Sequence, residues 1–134
     1  GFSDGAITAL MLAYSYPDSV SAVISAGANT RPESLTDEML KDIRREYEAT
    51  GSALLSLMLS EPDISKEDLG RITVPVLVVA GEHDAVKLED TEMIASSIPD
   101  PKLRIVEGED HASYIWHSDK IARIVLEELP FLCI

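Results

Sequence analysis

The hydrophobic pattern along the chain alternates between short β-branched runs and longer helical stretches. Three runs have the length and residue types of buried strands: 20–26, 74–80 and 102–107. Three longer stretches are rich in helix formers or amphipathic: 6–16, 88–98 and 117–132. Strands that alternate with helices are typical of an α/β fold with a parallel sheet. We therefore expect three parallel strands and at least five helices.

Residues 31–70 interrupt this alternation with helices alone. Apolar side chains recur every fourth residue from Leu35 onward, which predicts an amphipathic helix, and a second apolar helical stretch covers 54–59. Ser65 followed by Asp68 resembles a capping box at the start of a short helix. Because these helices fall between two predicted strands, we expect a helical cap inserted over one edge of the sheet.

The composition narrows the classes of function. At 134 residues the chain is long enough for one domain, and 46% hydrophobic residues can build a core. Its net charge of −13 repels phosphate backbones and anionic lipid headgroups, so we expect neither nucleic-acid nor membrane partners. The same charge disfavours strongly anionic substrates.

The sequence gives no sign of a metal, a disulfide or a membrane span. Cys133 is the single cysteine, so it cannot form an internal disulfide, and no Cys/His spacing indicates zinc. No apolar run approaches the ~20 residues that cross a bilayer, and no signal-peptide pattern is present. We expect a cytoplasmic protein that uses no cofactor.

The first five residues, Gly-Phe-Ser-Asp-Gly, match the pattern Gly-x-Ser-x-Gly and lead straight into a helix. Such a turn exposes the Ser3 hydroxyl, and the small residues Gly1 and Gly5 supply the room that the tight backbone needs. The N–H of Asp4, at the start of the helix, would then be one donor of an oxyanion hole. A glycine-flanked helix cap is the alternative interpretation of the same five residues.

Two further candidates follow the last two predicted strands. Asp84 comes just after the strand 74–80, and His111 comes just after the strand 102–107. The carboxyl ends of parallel strands meet at one edge of a sheet, where open α/β folds place their sites. A serine nucleophile needs a base, and the base needs an orienting carboxylate. Alternatively, Asp84 caps a loop or helix and His111 is an exposed loop histidine.

These three motifs, in this order, resemble the second half of a bacterial α/β-hydrolase of the serine esterase type. The resemblance rests on Gly-Phe-Ser-Asp-Gly, on Val-Pro-Val-Leu-Val-Val-Ala-Gly-Glu-His-Asp and on Val-Glu-Gly-Glu-Asp-His, and it covers nearly the whole chain. It implies that Ser3 is the nucleophile, that His111 is the general base and acid, and that Asp84 fixes the imidazole. Residues 31–70 correspond to the variable cap of that family.

The resemblance implies a hydrolase acting on a small carboxylic ester or a related acyl compound. The same three groups could also serve carbon–carbon bond hydrolysis, perhydrolysis or acyl transfer, since a fold alone does not choose among reactions. A non-catalytic binding or interaction module is the alternative from another class. Met39 and Met58 could line an acyl pocket, although apolar side chains at helical spacing are more often core.

The sequence departs from the family before the serine. Complete members have further strands, and a loop with the second oxyanion donor, ahead of this turn. We therefore expect the 134 residues to be the C-terminal part of a single α/β-hydrolase domain, with no strand of their own to hold Ser3. An uncovered sheet edge would then be paired by a second copy, in a homodimer, or by the missing N-terminal half.

Overall fold

The computed structural model describes residues 1–132, and Cys133 lies outside the described residues. Three strands alternate with six α-helices in this part of the chain: α1 Asp4–Ser15, β1 Val23–Ala26, α2 Asp37–Thr50, α3 Ala53–Ser60, α4 Lys66–Gly70, β2 Val76–His83, α5 Leu88–Ser97, β3 Pro101–Asp110 and α6 Lys120–Glu128. Short 3₁₀ turns occupy Pro17–Ser19, Pro32–Ser34 and Pro130–Leu132. The prediction of three parallel strands with flanking helices is confirmed.

Local sequence signals set the helix ends. Pro17 cannot continue α1, which ends at Ser15. Gly51 ends α2 in the left-handed conformation, with φ 63°. Ser65 and Asp68 form the predicted capping box, because each side chain accepts a hydrogen bond from the backbone N–H of the other.

The sheet has the order β1-β2-β3, and both pairs of neighbours are parallel. The central strand β2 is buried on both faces, since its side chains alternate between two hydrophobic clusters. Val76 and Val78 pack with α1, α4 and α5, whereas Leu77 and Val79 pack with α6. Burying each of these side chains contributes about 1.5–3 kcal/mol. The carboxyl ends of all three strands therefore reach one rim of a rigid core.

The helices between β1 and β2 divide into two groups. α2 and α3 pack together over the loop after β2, around Leu35, Ile43 and Val86. In contrast, Leu69 of α4 is fully buried in the main cluster with α1 and α5. The interpretation of residues 31–70 as a cap over the site stays a prediction, which the position of α2 and α3 motivates.

Strand β3 is longer than its hydrophobic pattern predicts. The predicted strand covers 102–107, but pairing continues to Asp110. The physical reason is a bulge: backbone hydrogen bonding resumes beyond it, so the polar residues at the strand end remain part of the ladder. No helix among residues 1–132 combines the length and the hydrophobicity that a bilayer span requires.

The outer edge of β1 holds the first residues of the chain. Phe2 forms a parallel bridge with Ala26, which accepts a hydrogen bond from the Ser3 N–H at 2.8 Å and donates one to the Gly1 carbonyl at 3.0 Å. The expectation that no strand holds Ser3 therefore needs correction, because these two backbone bonds fix its position. Pairing of this edge with a second copy or a further segment stays a prediction.

Candidate active site

Ser3 lies in a strained turn between the β1 edge and helix α1. Its φ of 55° and ψ of −119° are unfavourable for a residue with a side chain, and such strain collects at functional sites. A Cβ at Gly1 would lie 2.1 Å from the carbonyl oxygen of Gly5, so the turn requires glycine there. At Gly5 a Cβ would meet nothing within 4 Å among the described residues, so the expected crowding at this second glycine is absent here.

Asp84 follows β2, and its side chain is fully buried. Its carboxylate accepts N–H groups from Gly81 at 3.0 Å and from Val86 at 3.1 Å. Burial alone would raise the pKa of Asp84, but the hydrogen bonds from His111 and from these two backbone groups outweigh it and hold the pKa below its ordinary value. Asp84 is therefore ionised at neutral pH.

His111 follows β3 and lies between Ser3 and Asp84. Its Nδ1 is 2.7 Å from Asp84 Oδ1, and its Nε2 is 3.2 Å from Ser3 Oγ. The ring of Phe2 packs against the imidazole, with the ring centres 4.9 Å apart. The three side chains proposed from sequence thus meet in one hydrogen-bonded chain at the rim of the sheet.

This arrangement selects one form of the neutral imidazole. The ionised Asp84 accepts hydrogen bonds only, so Nδ1 of His111 carries the proton and donates it. The lone pair of Nε2 then faces the hydroxyl of Ser3, which can donate to it. A serine hydroxyl in this position can lose its proton to the imidazole as it attacks an electrophile.

The N–H of Asp4 lies at the first position of α1. The next three N–H groups are occupied: Gly5 donates to the Phe2 carbonyl, while Ala6 and Ile7 donate to the Ser3 carbonyl. No acceptor for the Asp4 N–H is found among the described residues. At the positive end of the helix dipole, this donor can stabilise negative charge that develops beside Ser3.

A narrow cleft lies over Ser3 and His111. Met39 of α2 and Met58 of α3 line it and also pack against the cluster around Ile43, so a role of these two residues in an acyl pocket stays a prediction. The free volume is about 20 Å³, which admits little more than one water molecule. Methionine side chains are flexible, so a change of their rotamers can enlarge the cleft for a substrate.

Other histidine and aromatic side chains near the strand ends lie outside the cleft. His83 is exposed, and Trp116 is 67% exposed. Tyr114 is fully buried in the core below the loop that carries His111. Among residues 1–132, no group of three or more His, Cys, Asp or Glu side chains is arranged to hold a metal ion.

Sequence reasoning overlooked one acidic residue near the site. An acidic residue near a strand end is normally solvated, but Glu109 is 8% exposed and bonds to Ser113 and Lys120. Its burial follows from the bulge in β3, which turns this side chain inward. No signal in the sequence pattern distinguishes Glu109 from its exposed acidic neighbours.

Comparison with known proteins supports the class of fold. No protein-family model matches the chain. The human serine hydrolase BPHL is 25% identical over 149 residues, which include 92% of this chain and 51% of that protein. The α/β-hydrolase MGS-MChE2, from a sediment metagenome of the Mar Chica lagoon in Morocco, superimposes with a TM-score of 0.74 at 18% identity, covering 100% of this chain and 61% of its own.

A proline iminopeptidase from Mycobacterium smegmatis superimposes with a TM-score of 0.70 at 16% identity, over 95% of this chain and 62% of its own. The molecule therefore has part of the α/β-hydrolase fold, and the resemblance seen in the sequence is confirmed. The chain spans about half the length of the curated relative, at 51%.

Proposed function

We propose that this chain carries the reacting groups of a serine hydrolase that acts on small carboxylic esters or related acyl compounds. The observation that supports it most is the continuous hydrogen-bonded chain from Ser3 through His111 to Asp84, with distances of 3.2 and 2.7 Å. Hydrolases among the similar proteins add support for this class of reaction.

The chemistry divides into two steps. Ser3 Oγ attacks the carbonyl carbon of the ester while its proton passes to His111 Nε2, and the imidazolium then protonates the leaving alcohol as the C–O bond breaks. Water next attacks the acyl-serine and loses a proton to Nε2. The bond from the acyl carbon to Ser3 Oγ then breaks, Oγ takes that proton back, and the carboxylic acid is released. Asp84 keeps the imidazole oriented and balances its transient positive charge.

The charges around the cleft favour neutral substrates over anionic ones. Asp4 and Glu61 line it, and none of the described residues that line it is Lys or Arg. A negatively charged acyl group would meet two carboxylates without a compensating cation. The net charge of −13 acts in the same direction at longer range.

Substitution of the nucleophile tests the proposal. The Ser3→Ala variant should turn over p-nitrophenyl acetate about 10⁴-fold more slowly or worse. In a serine–histidine–aspartate group, loss of the serine alone lowers the rate about as much as loss of all three side chains. Ser15→Ala is the matched control, since Ser15 is exposed at the other end of the same helix. Equal turnover by the Ser3→Ala variant would remove Ser3 from the mechanism.

A non-catalytic binding module is the second candidate. Its motivation is that the chain spans 51% of the curated relative, and that the cleft over Ser3, with about 20 Å³ of free volume, leaves no room for an ester in this conformation. A fluorophosphonate probe separates the two candidates, because it forms a bond only with an activated serine. Labelling that maps to Ser3 and disappears in Ser3→Ala supports the hydrolase; an unlabelled, folded protein supports the binding module.

A further inference from the structure

The loop that carries His111 begins at an irregular point of the sheet. Gly81 of β2 pairs with Val106 of β3, but His83 pairs with Asp110, so β3 contains two extra residues between these pairs. A Cβ at Gly81 would lie 2.2 Å from the Asp110 carbonyl oxygen, so the strands approach closely here. Bulges of this kind re-aim the side chains that follow them.

Glu109 is buried inside this bulge. Its side chain is 10% exposed, although the nearest acidic residues along the chain, Glu107 and Asp110, are exposed. One carboxylate oxygen accepts a hydrogen bond from Ser113 Oγ at 2.5 Å, and the other forms an ion pair with Lys120 at the start of α6. A buried carboxylate is costly without such partners, so its environment is built to hold it.

Ser113 links Glu109 to the residues around His111 by hydrogen bonds. Its hydroxyl oxygen accepts the N–H of Asp110 at 2.9 Å while its proton goes to Glu109. Oδ1 of Asp110 accepts the N–H groups of Ala112 and Ser113, also at 2.9 Å. The residues before and after His111 are therefore closed into one hydrogen-bonded loop, tied to α6 through Glu109.

We propose that Glu109 is a positioning residue for His111, acting through Ser113. The proposal rests on the proposed function, in which His111 must reach Ser3 and Asp84 together. Both contacts of the imidazole are direct hydrogen bonds, and an error of about 1 Å in such a group can cost 10²-fold in rate. Glu109 reaches neither the cleft nor the reacting atoms, so it affects the rate only through the loop.

Three variants and one matched control test the role. Glu109→Ala removes the carboxylate, Glu109→Gln keeps an oxygen that can accept from Ser113, and Ser113→Ala removes only the bridging hydroxyl. Glu107→Gln is the control, because Glu107 is an exposed acid two residues away on the same strand and its side chain makes no hydrogen bond or ion pair among the described residues.

The expected kinetic result is a change in kcat without a change in KM for p-nitrophenyl acetate. Glu109→Ala and Ser113→Ala should lower kcat by about 10- to 100-fold, and Glu109→Gln should retain most of it. The double variant Glu109→Ala/Ser113→Ala should be no slower than the worse single variant, since both act through one chain of bonds. A kcat for Glu109→Ala equal to that of Glu107→Gln would overturn the proposal.

A second readout does not depend on turnover. The proton on His111 Nδ1, bonded to Asp84, gives a far-downfield proton resonance that reports the ring position. It should be sharp in the wild type and in Glu107→Gln, and broadened or lost in Ser113→Ala with an unchanged circular dichroism spectrum. If the wild type hydrolyses no ester, the proposed function fails while this signal still decides the role of the loop.

A folding defect in one variant would not prevent the test. If Glu109→Ala does not fold, Ser113→Ala carries the test, because it removes one hydroxyl from an exposed residue. An unchanged resonance together with an unchanged kcat in Ser113→Ala would show that the loop holds His111 without this network, and the proposal would be wrong.

Discussion

His111 occupies space that exists because residue 27 is glycine. A Cβ at Gly27 would lie 2.9 Å from Cε1 of the imidazole and 3.1 Å from its Nδ1. Gly27 follows β1 with φ 73°, and its N–H is bonded to the carbonyl of Val79, so the backbone there is fixed by the sheet. The end of β1 thus shapes the candidate site, although none of its side chains belongs to the hydrogen-bonded chain from Ser3 to Asp84.

Gly27→Ala should therefore displace His111 and lower kcat by about 10- to 100-fold. Gly51→Ala is the matched control, since Gly51 has a similar φ of 63° but open space around its Cβ position. Each change should cost about 1–2 kcal/mol of stability from the left-handed backbone, measured by urea unfolding. Ester turnover should fall only in Gly27→Ala; equal turnover in both variants would contradict the packing described here.

Asp84 should make the stability of the fold depend on pH in acid. Its pKa lies below the ordinary value of 3.8 in the folded state, so between the two values the unfolded chain binds more protons. The stabilisation from its ionised form is therefore complete above the ordinary value and is lost as the pH falls through the folded pKa. Asp84→Asn lacks this contribution at every pH.

Urea unfolding of the wild type and of Asp84→Asn between pH 6 and pH 2.5 measures the effect. The difference in their free energies of unfolding should be largest near neutral pH and should shrink as the pH falls below about 4. Other carboxyl groups with lowered pKa values, such as those of Asp68 and Asp110, are present in both proteins. Their contributions to the free energy of unfolding therefore cancel in the difference. A difference that stays constant or grows in acid would show that Asp84 is not stabilised in its charged form.

Substrate charge should affect turnover through the two carboxylates of the cleft. A p-nitrophenyl ester whose acyl chain ends in a carboxylate should have a kcat/KM at least about 10-fold below that of the neutral ester of equal length, since like charges at 4 Å repel by about 1–4 kcal/mol. Glu61→Gln should narrow the gap, whereas Glu48→Gln, at an exposed position of α2 away from the cleft, should not. Preference for the anionic ester would contradict this reading of the charges.

The three side chains of the candidate site could be proposed from sequence because each lies at a recognisable feature. Ser3 lies between two glycines ahead of a helix, and Asp84 and His111 each follow a run with strand character. Parallel strands bring their carboxyl ends together, so order along the chain was enough to place them at one rim. Whether they act in catalysis is a separate question, which the substitution of Ser3 addresses.

Glu109 could not be found in the same way. Its burial depends on a two-residue excess in β3, and the register of a strand is set by pairing that the hydrophobic pattern does not reveal. Its partner Lys120 belongs to α6, and only the tertiary packing of α6 brings Lys120 to Glu109. Likewise the contact of Gly27 with His111 joins residues 84 positions apart, which no local motif connects.

The hydrogen bond between Ser3 and His111 joins side chains that are 108 positions apart, which is nearly the full length of the described chain. Neither a local hairpin nor a single helix–strand unit can create it, because all three strand ends must be in place before the hydroxyl meets the imidazole. Serine reactivity would consequently disappear together with the cooperative structure as denaturant is added. The fraction of protein that a covalent serine probe labels would then measure the fraction that is folded. Such a measurement would work in cells or extracts, where the spectroscopic signal of one protein cannot be separated from the rest.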